Sequence, residues 1–288
     1  MMKHVKKLCI LISILTMASC GAPADEAGDA DTIVFGQTAW TSTEAPTQIA
    51  KQILEEVGYN VDIVLLDQPM IFQGMQNEEI DLFMDAWLPY TEEALWDEYQ
   101  DDLQMVATSY ENVPLGWVVP EYVEENTIDD LAGKADKFDG EIVTIAEGAG
   151  IVGLSRDVLE DEDYDLEGFE LVASSEAAML STLDRRMQQE EPVIITGWRP
   201  HAMFSRYDLK FLEDTQGHFQ YDNVYVLSYE GLEEKFPEVY DIMSQWSIEV
   251  EDLEEMMYEF EHNDVPFEES AAQWIEENRD QVDAMLGQ

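Results

Sequence analysis

Cysteine is nearly absent from this 288-residue chain, which has only Cys9 and Cys20. No disulfide framework can brace the fold, so an apolar core must do so, and there is no usable cysteine nucleophile. Basic side chains are also scarce: 14 Lys and Arg face 64 Asp and Glu, a formal net charge of −50. Nucleic acid and anionic membrane surfaces repel such a body. The chain contains no G-x-S-x-G and no H-E-x-x-H, and His218 and His262 sit in polar stretches without ligand-spaced partners. An enzyme is therefore not expected, and neither is a metal or other cofactor. The regular calcium-loop spacing is missing as well. The acids are spread along the whole chain, and they read as a solvated surface suited to strong salt.

Hydrophobic residues make up 45 % of the chain, enough for two modest domains or one large one. The basic "MMKHVKK", the apolar "LCILISILTM" and the small residues before Cys20 form a targeting signal whose apolar run is too short for a good membrane span. Its end resembles a bacterial lipobox, with Met17 in place of the commoner Leu, and marks Cys20 for lipidation. Removal of residues 1–19 takes away three Lys and no acid, so 11 basic side chains then face 64 acids, a formal charge of −53. The stretch 20–31 is small, acidic and aperiodic, as expected of a flexible tether.

A β-α rhythm follows. "TIVFGQ" and "NVDIVLL" read as strands, separated by a helical pattern that ends at Gly58. "PMIFQGMQNEE" reads as a helix and "IDLFMDAW" as a strand. "PLGWVVPEYV" (114–123) looks like a strand interrupted by Pro120, placed to cross between lobes. A second rhythm pairs "EIVTIAEGAGI" with "VGLSRDVLED", "FELVAS" with "SEAAMLSTLDRRMQQ", and "PVIITGW" with "RPHAMFSRY". "NVYVLSY" (223–229) is placed to cross back, and the tail from Gly231 is almost entirely helical in period. The expectation is an α/β protein of two lobes, the first over 32–117 and 224–288, the second over 118–223. Such bodies open and close around a ligand by hinge motion, and parallel sheets bind ligands beyond the carboxyl ends of their strands.

Three tryptophans fall at those ends: Trp40 in "FGQTAW", Trp87 in "LFMDAW" and Trp198 in "VIITGW". Indole faces attract a cation, above all a quaternary ammonium, at roughly 0.5–2 kcal/mol each. Three together supply ~2–6 kcal/mol, short of the ~8 kcal/mol that micromolar affinity requires. A second anchor is available in "EGAGIVGLS", where a glycine-rich turn opens a helix near Ile151 and its first amides can hold an anion. A cation cage opposed to an anion nest describes a site for a small zwitterion.

The stretches "DAWLPYT", "EGAGI", "SSEAAMLSTLDR" and "EPVIITGWRPHAMFSRYDLKFLED" resemble the glycine betaine-binding lipoproteins of bacterial ABC importers, the OpuAC-like group. The similarity covers nearly the whole chain after the signal. It implies a periplasmic-binding-protein-like fold of type II, two-lobed, with two hinge-crossing strands and a helical C-terminal tail. It also implies a prism of Trp40, Trp87 and Trp198 around a quaternary ammonium, and a carboxylate held by the amides of Gly150 and Ile151. The implied partners are an ABC permease with its ATPase subunits and, through the lipid on Cys20, the outer face of the cytoplasmic membrane.

At one position the chain departs from the group, which has a histidine as a carboxylate donor where this sequence has Glu92. Two like charges ~5 Å apart at an effective dielectric of ~20 cost roughly 3 kcal/mol. Three outcomes are open. Glu92 faces solvent as a first-turn helix acid, leaving the anion to the amides with help from His201. It is protonated in the closed site. Or the ligand lacks a carboxylate, as choline does, and Glu92 approaches the ammonium. From another class, a metal-binding or structural surface lipoprotein is the rival reading.

Overall fold

The computed structural model describes residues 31–288. The expected signal peptide, Cys20 and all of the tether but Asp31 lie outside the described residues.

The first sheet begins with β1 (Thr32–Gln37), α1 (Thr41–Glu56), β2 (Asn60–Leu65), α2 (Gln68–Gln76) and β3 (Leu82–Leu88). β1 lies between β2 and β3 and runs parallel to both. Ile33 and Phe35 are fully buried on it, as are Ala45, Ile49, Ala50, Ile53 and Leu54 on α1. That spacing is one apolar stripe of a helix laid on the sheet. α1 stops just before Gly58, whose φ of +100° suits glycine at a helix end. A short α3 (Glu93–Tyr99) and the long β4 (Leu103–Val113) complete this stretch.

The chain leaves the first sheet at Pro114, which cannot donate a ladder hydrogen bond. β5 (Leu115–Pro120) belongs to the second sheet, pairing antiparallel with β8 (Ile194–Trp198), and it ends at the second proline. The expected boundary between 117 and 118 therefore lies too late. Trp117 sits in the second lobe's core with Val119, Ile128 and Phe138, and its Nε1 donates to Ser155 Oγ at 3.0 Å. The rest of that lobe is β6 (Glu141–Thr144), α4 (Gly150–Glu160), β7 (Glu170–Ala173), α5 (Glu176–Gln189), α6 (Met203–Arg206) and β9 (Leu209–Phe211). Its strand order is β7-β6-β8-β5-β9, with β6, β7 and β8 parallel. The helix expected over 199–207 shrinks to α6, because Pro200 and the residue before it resist helical geometry.

The chain returns through β10 (Asp222–Tyr229), which inserts antiparallel between β3 and β4, so the first sheet reads β2-β1-β3-β10-β4. The tail is helical: α7 (Leu232–Lys235), α8 (Pro237–Met243), α9 (Val250–Asn263), α10 (Phe267–Glu277) and α11 (Arg279–Met285). Asn278 separates α10 from α11. Among the described residues no helix is long and apolar enough to cross a membrane. The carboxyl ends of the parallel strands hold Trp87 and Trp198 themselves and lead into the loop of Trp40 and the helix starts at Gln68 and Gly150.

Candidate functional site

These strand ends, loops and helix starts meet around one small cavity. The first lobe contributes Trp40, Ser42, Gln68, Trp87, Thr91 and Glu92. The second contributes Ile145, Ala149, Gly150, Ile151 and Trp198, with Leu115 beside the crossing. All three strand-end tryptophans are thus brought together, along with both residues of the expected amide nest.

Each wall is positioned by identifiable bonds. Trp40 precedes α1, and its carbonyl accepts from the amides of Thr43 and Glu44, both at 3.1 Å. Trp87 is 5 % exposed near the end of β3, and its Nε1 donates to Asp85 Oδ1 at 2.9 Å. Asp85 is fully buried and also accepts from Ser42 Oγ at 2.9 Å and Thr43 Oγ1 at 2.7 Å. Burial raises its carboxyl above the usual range, opposed by those donors. Asp222 of β10 accepts the Tyr90 and Thr91 amides at 2.8 and 2.9 Å, fixing the loop after Trp87. Trp198 closes the far side, 5 % exposed, with no hydrogen-bond partner for its buried Nε1.

α4 opens at Gly150 after Ala149, which offers no side-chain cap. The first amides of a helix have no acceptor inside it and carry partial positive charge. Glycine is required here by proximity, since a Cβ on Gly150 would overlap the Thr91 carbonyl oxygen and lie 2.8 Å from Thr91 Cγ2. The amide nest of the second lobe therefore abuts the first-lobe residue that precedes Glu92.

Glu92 does not face solvent. It is 2 % exposed at the N-cap of α3, with its own amide donating to the Trp87 carbonyl at 3.1 Å. Oε1 accepts from Gln68 Nε2, while Oε2 is buried without a partner. Burial, then the neighbouring negative charge of Asp85 against a hydrogen bond from the Trp87 backbone, puts its carboxyl well above the ordinary range.

His201 is absent from the cavity wall. The expectation that it helps hold the anion is corrected by its contacts: it stands edge-on to Trp198, ring centroids 5.0 Å apart, and is fully buried. Its Nδ1 accepts from the Met203 amide at 3.0 Å, so the ring proton sits on Nε2, 3.0 Å from Glu176 Oε1. Glu176 also accepts from Thr41 Oγ1 at 2.9 Å and the Thr41 amide at 3.2 Å, bridging from α5 to the start of α1. Ligand atoms of Glu176, His201 and Glu261 lie within 4.8 Å of one another. Both nitrogens of His201 are already engaged, which leaves it no free lone pair for a metal.

Sequence reasoning overlooked Gln68, Ser42, Asp85 and Glu176. Gln68 was within its reach: "LLDQP" ends a parallel strand of the same sheet, the position that singled out Trp40 and Trp87.

Residues 31–277 match the family model of the substrate-binding domain of the ABC-type glycine betaine transport system. The chain belongs to this family. The glycine betaine/carnitine transport binding protein GbuC of Listeria monocytogenes is 37 % identical over 142 residues, 49 % of this chain and 47 % of that protein. The chain thus spans about half the length of that curated relative. Lactococcal OpuAC, closed and complexed with glycine betaine, superposes with a TM-score of 0.84 at 30 % identity, covering 89 % of this chain and 99 % of that one. A choline-binding ABC-transporter protein in complex with choline also reaches 0.84, at 27 % identity, over 89 % and 91 %. The family fold is the two-lobed α/β arrangement of type II periplasmic binding proteins, here with its helical C-terminal region.

Proposed function

We propose that the protein captures glycine betaine, or a closely similar quaternary-ammonium osmoprotectant, outside the cytoplasmic membrane and delivers it to an ABC permease powered by ATPase subunits. The carrying observation is the convergence of three indoles and the N-terminus of α4, contributed by both lobes, on one small cavity. Trp40, Trp87 and Trp198 enclose the methylated cation through their faces. The Gly150 and Ile151 amides hold the carboxylate. The solute bridges the lobes, so binding favours the closed arrangement and needs no chemistry from the receptor itself. A lipid on Cys20 keeps the receptor at the outer face of the membrane, and the acidic surface suits work in high salt.

Choline is the second reading, supported by the likeness to a choline-binding protein and by the carboxyl group of Glu92 in the cavity. Titration calorimetry with glycine betaine and choline in high salt, followed in parallel by tryptophan fluorescence, tests both. Saturable betaine binding with a fluorescence change is expected. Calcium-induced stabilisation with no response to either onium compound would replace this reading with a metal-binding surface protein.

A further inference from the structure

Resting on the receptor reading above, we infer that Glu92 keeps a proton on Oε2 and donates it in a hydrogen bond to the carboxylate of the bound solute. The site then prefers a zwitterion to a bare onium cation.

The geometry defines the role. Oε1 is occupied by the Gln68 amide, Oε2 is buried and unpartnered, and Glu92 is a lining residue of the cavity. The groups facing Glu92 are Gln68 of α2, Asp85 of β3 and Asp222 of β10, one neutral and two acidic. Among the described residues no Lys or Arg lines the cavity. A carboxylate buried there would keep its charge with a single side-chain donor, an arrangement that proteins avoid by protonation. The displacement of its titration by burial agrees in direction. Asp85 does not compete for the ligand, because both its oxygens already accept hydrogen bonds from Ser42, Thr43 and Trp87.

The second lobe supplies the other half of the argument. Gly150 presses against the Thr91 carbonyl, one residue before Glu92, and Gly150, Ile151, Thr91 and Glu92 line the same cavity. An ionised Glu92 would repel the anion that those amides attract. A protonated Glu92 adds a third donor beside them and leaves the indole faces to the cation.

The test uses the complete chain with glycine betaine and choline. Above the pKa of Glu92 in the free protein, betaine affinity falls about tenfold per pH unit, while choline affinity does not fall. Below the pH at which betaine affinity begins to fall, the infrared spectrum of the betaine complex contains a protonated-carboxyl band that Glu92→Gln lacks. Glu92→Gln retains an N–H donor and weakens betaine by a few-fold, whereas Glu92→Leu weakens it about tenfold to a hundredfold. Absence of that band, or choline binding that Glu92→Gln abolishes, overturns the inference and leaves the receptor reading intact. Failure of the wild-type protein to bind either compound overturns the receptor reading itself.

Discussion

Two glutamates stand on opposite sides of the cleft, and both are nearly inaccessible: Glu92 of the first lobe at 2 % and Glu176 of the second at 4 %. Their surroundings differ. Glu176 accepts from His201, from the Thr41 hydroxyl and from the Thr41 amide, and so ties α5 to α1 across the lobes. Glu92 has one side-chain donor and an oxygen with none. Buried polar groups in proteins are almost always satisfied, so a saturated carboxylate reads as a clamp and an unsatisfied one as a place where something binds. Burial alone does not separate the two roles; the count of donors does. A second clamp, Arg199 to Glu254 at 3.2 Å, joins the loop after Trp198 to α9, but it is partly exposed and correspondingly weaker.

The comparison can be broken most severely at the wall between Glu92 and Asp85. Trp87→Ala removes a buried indole and one of the donors to Asp85. A loss of ~3–5 kcal/mol in unfolding free energy is expected, read by denaturant titration, together with loss of onium binding. Gly150→Ala attacks the meeting of the lobes. Its new methyl group collides with Thr91 only when they are together, so overpacking of ~1–3 kcal/mol weakens betaine about 5- to 150-fold by calorimetry. The melting temperature without ligand should stay nearly unchanged.

Glu176→Ala removes the clamp and leaves its donors without their acceptor. Betaine affinity should fall about tenfold through loss of the closed arrangement, with partial recovery in Glu176→Gln. The smallest effect separates the two carboxyls by pH. A carboxyl whose titration is raised by folding stabilises the fold while protonated, and this contribution is lost as pH rises above its unfolded value. Glu92 is such a group. Glu92→Gln should therefore raise the ligand-free melting temperature relative to wild type at pH 8 and not at pH 4, by ~2–4 °C for each 1 kcal/mol recovered.

Much of the fold was legible because buried helices and strands leave periodic apolar patterns. The stretch 32–37 reads as the strand it forms, and the stripe of α1 is visible in "IAKQILEE". β4 was not read as a strand. Its pairing with β10 shifts register at several points, and its partial burial breaks the alternation that would have revealed it. α3 and β9 are too short to show a period. Trp40, Trp87 and Trp198 could be selected because strand ends can be located from pattern alone. Asp85 could not be weighed in the same way, because one of many acids carries no mark of burial in a chain with 64 acids.

Composition and pattern by themselves determined the alternating architecture, the three indoles at strand ends and the glycine-rich entry to α4, since each is written in local spacing. Tertiary structure alone decided what the acids do. The sequence places Glu92 and Glu93 together before a helix, where both could face water. The fold buries Glu92 in the lining of the cavity, leaving Glu93 exposed. It also withdraws His201 from the wall and turns its Nε2–H toward Glu176 in a hydrogen bond. Solvent access and hydrogen-bond partners are properties of the assembled lobes, and the Gly150 contact with Thr91 that defines the site joins residues far apart in the chain.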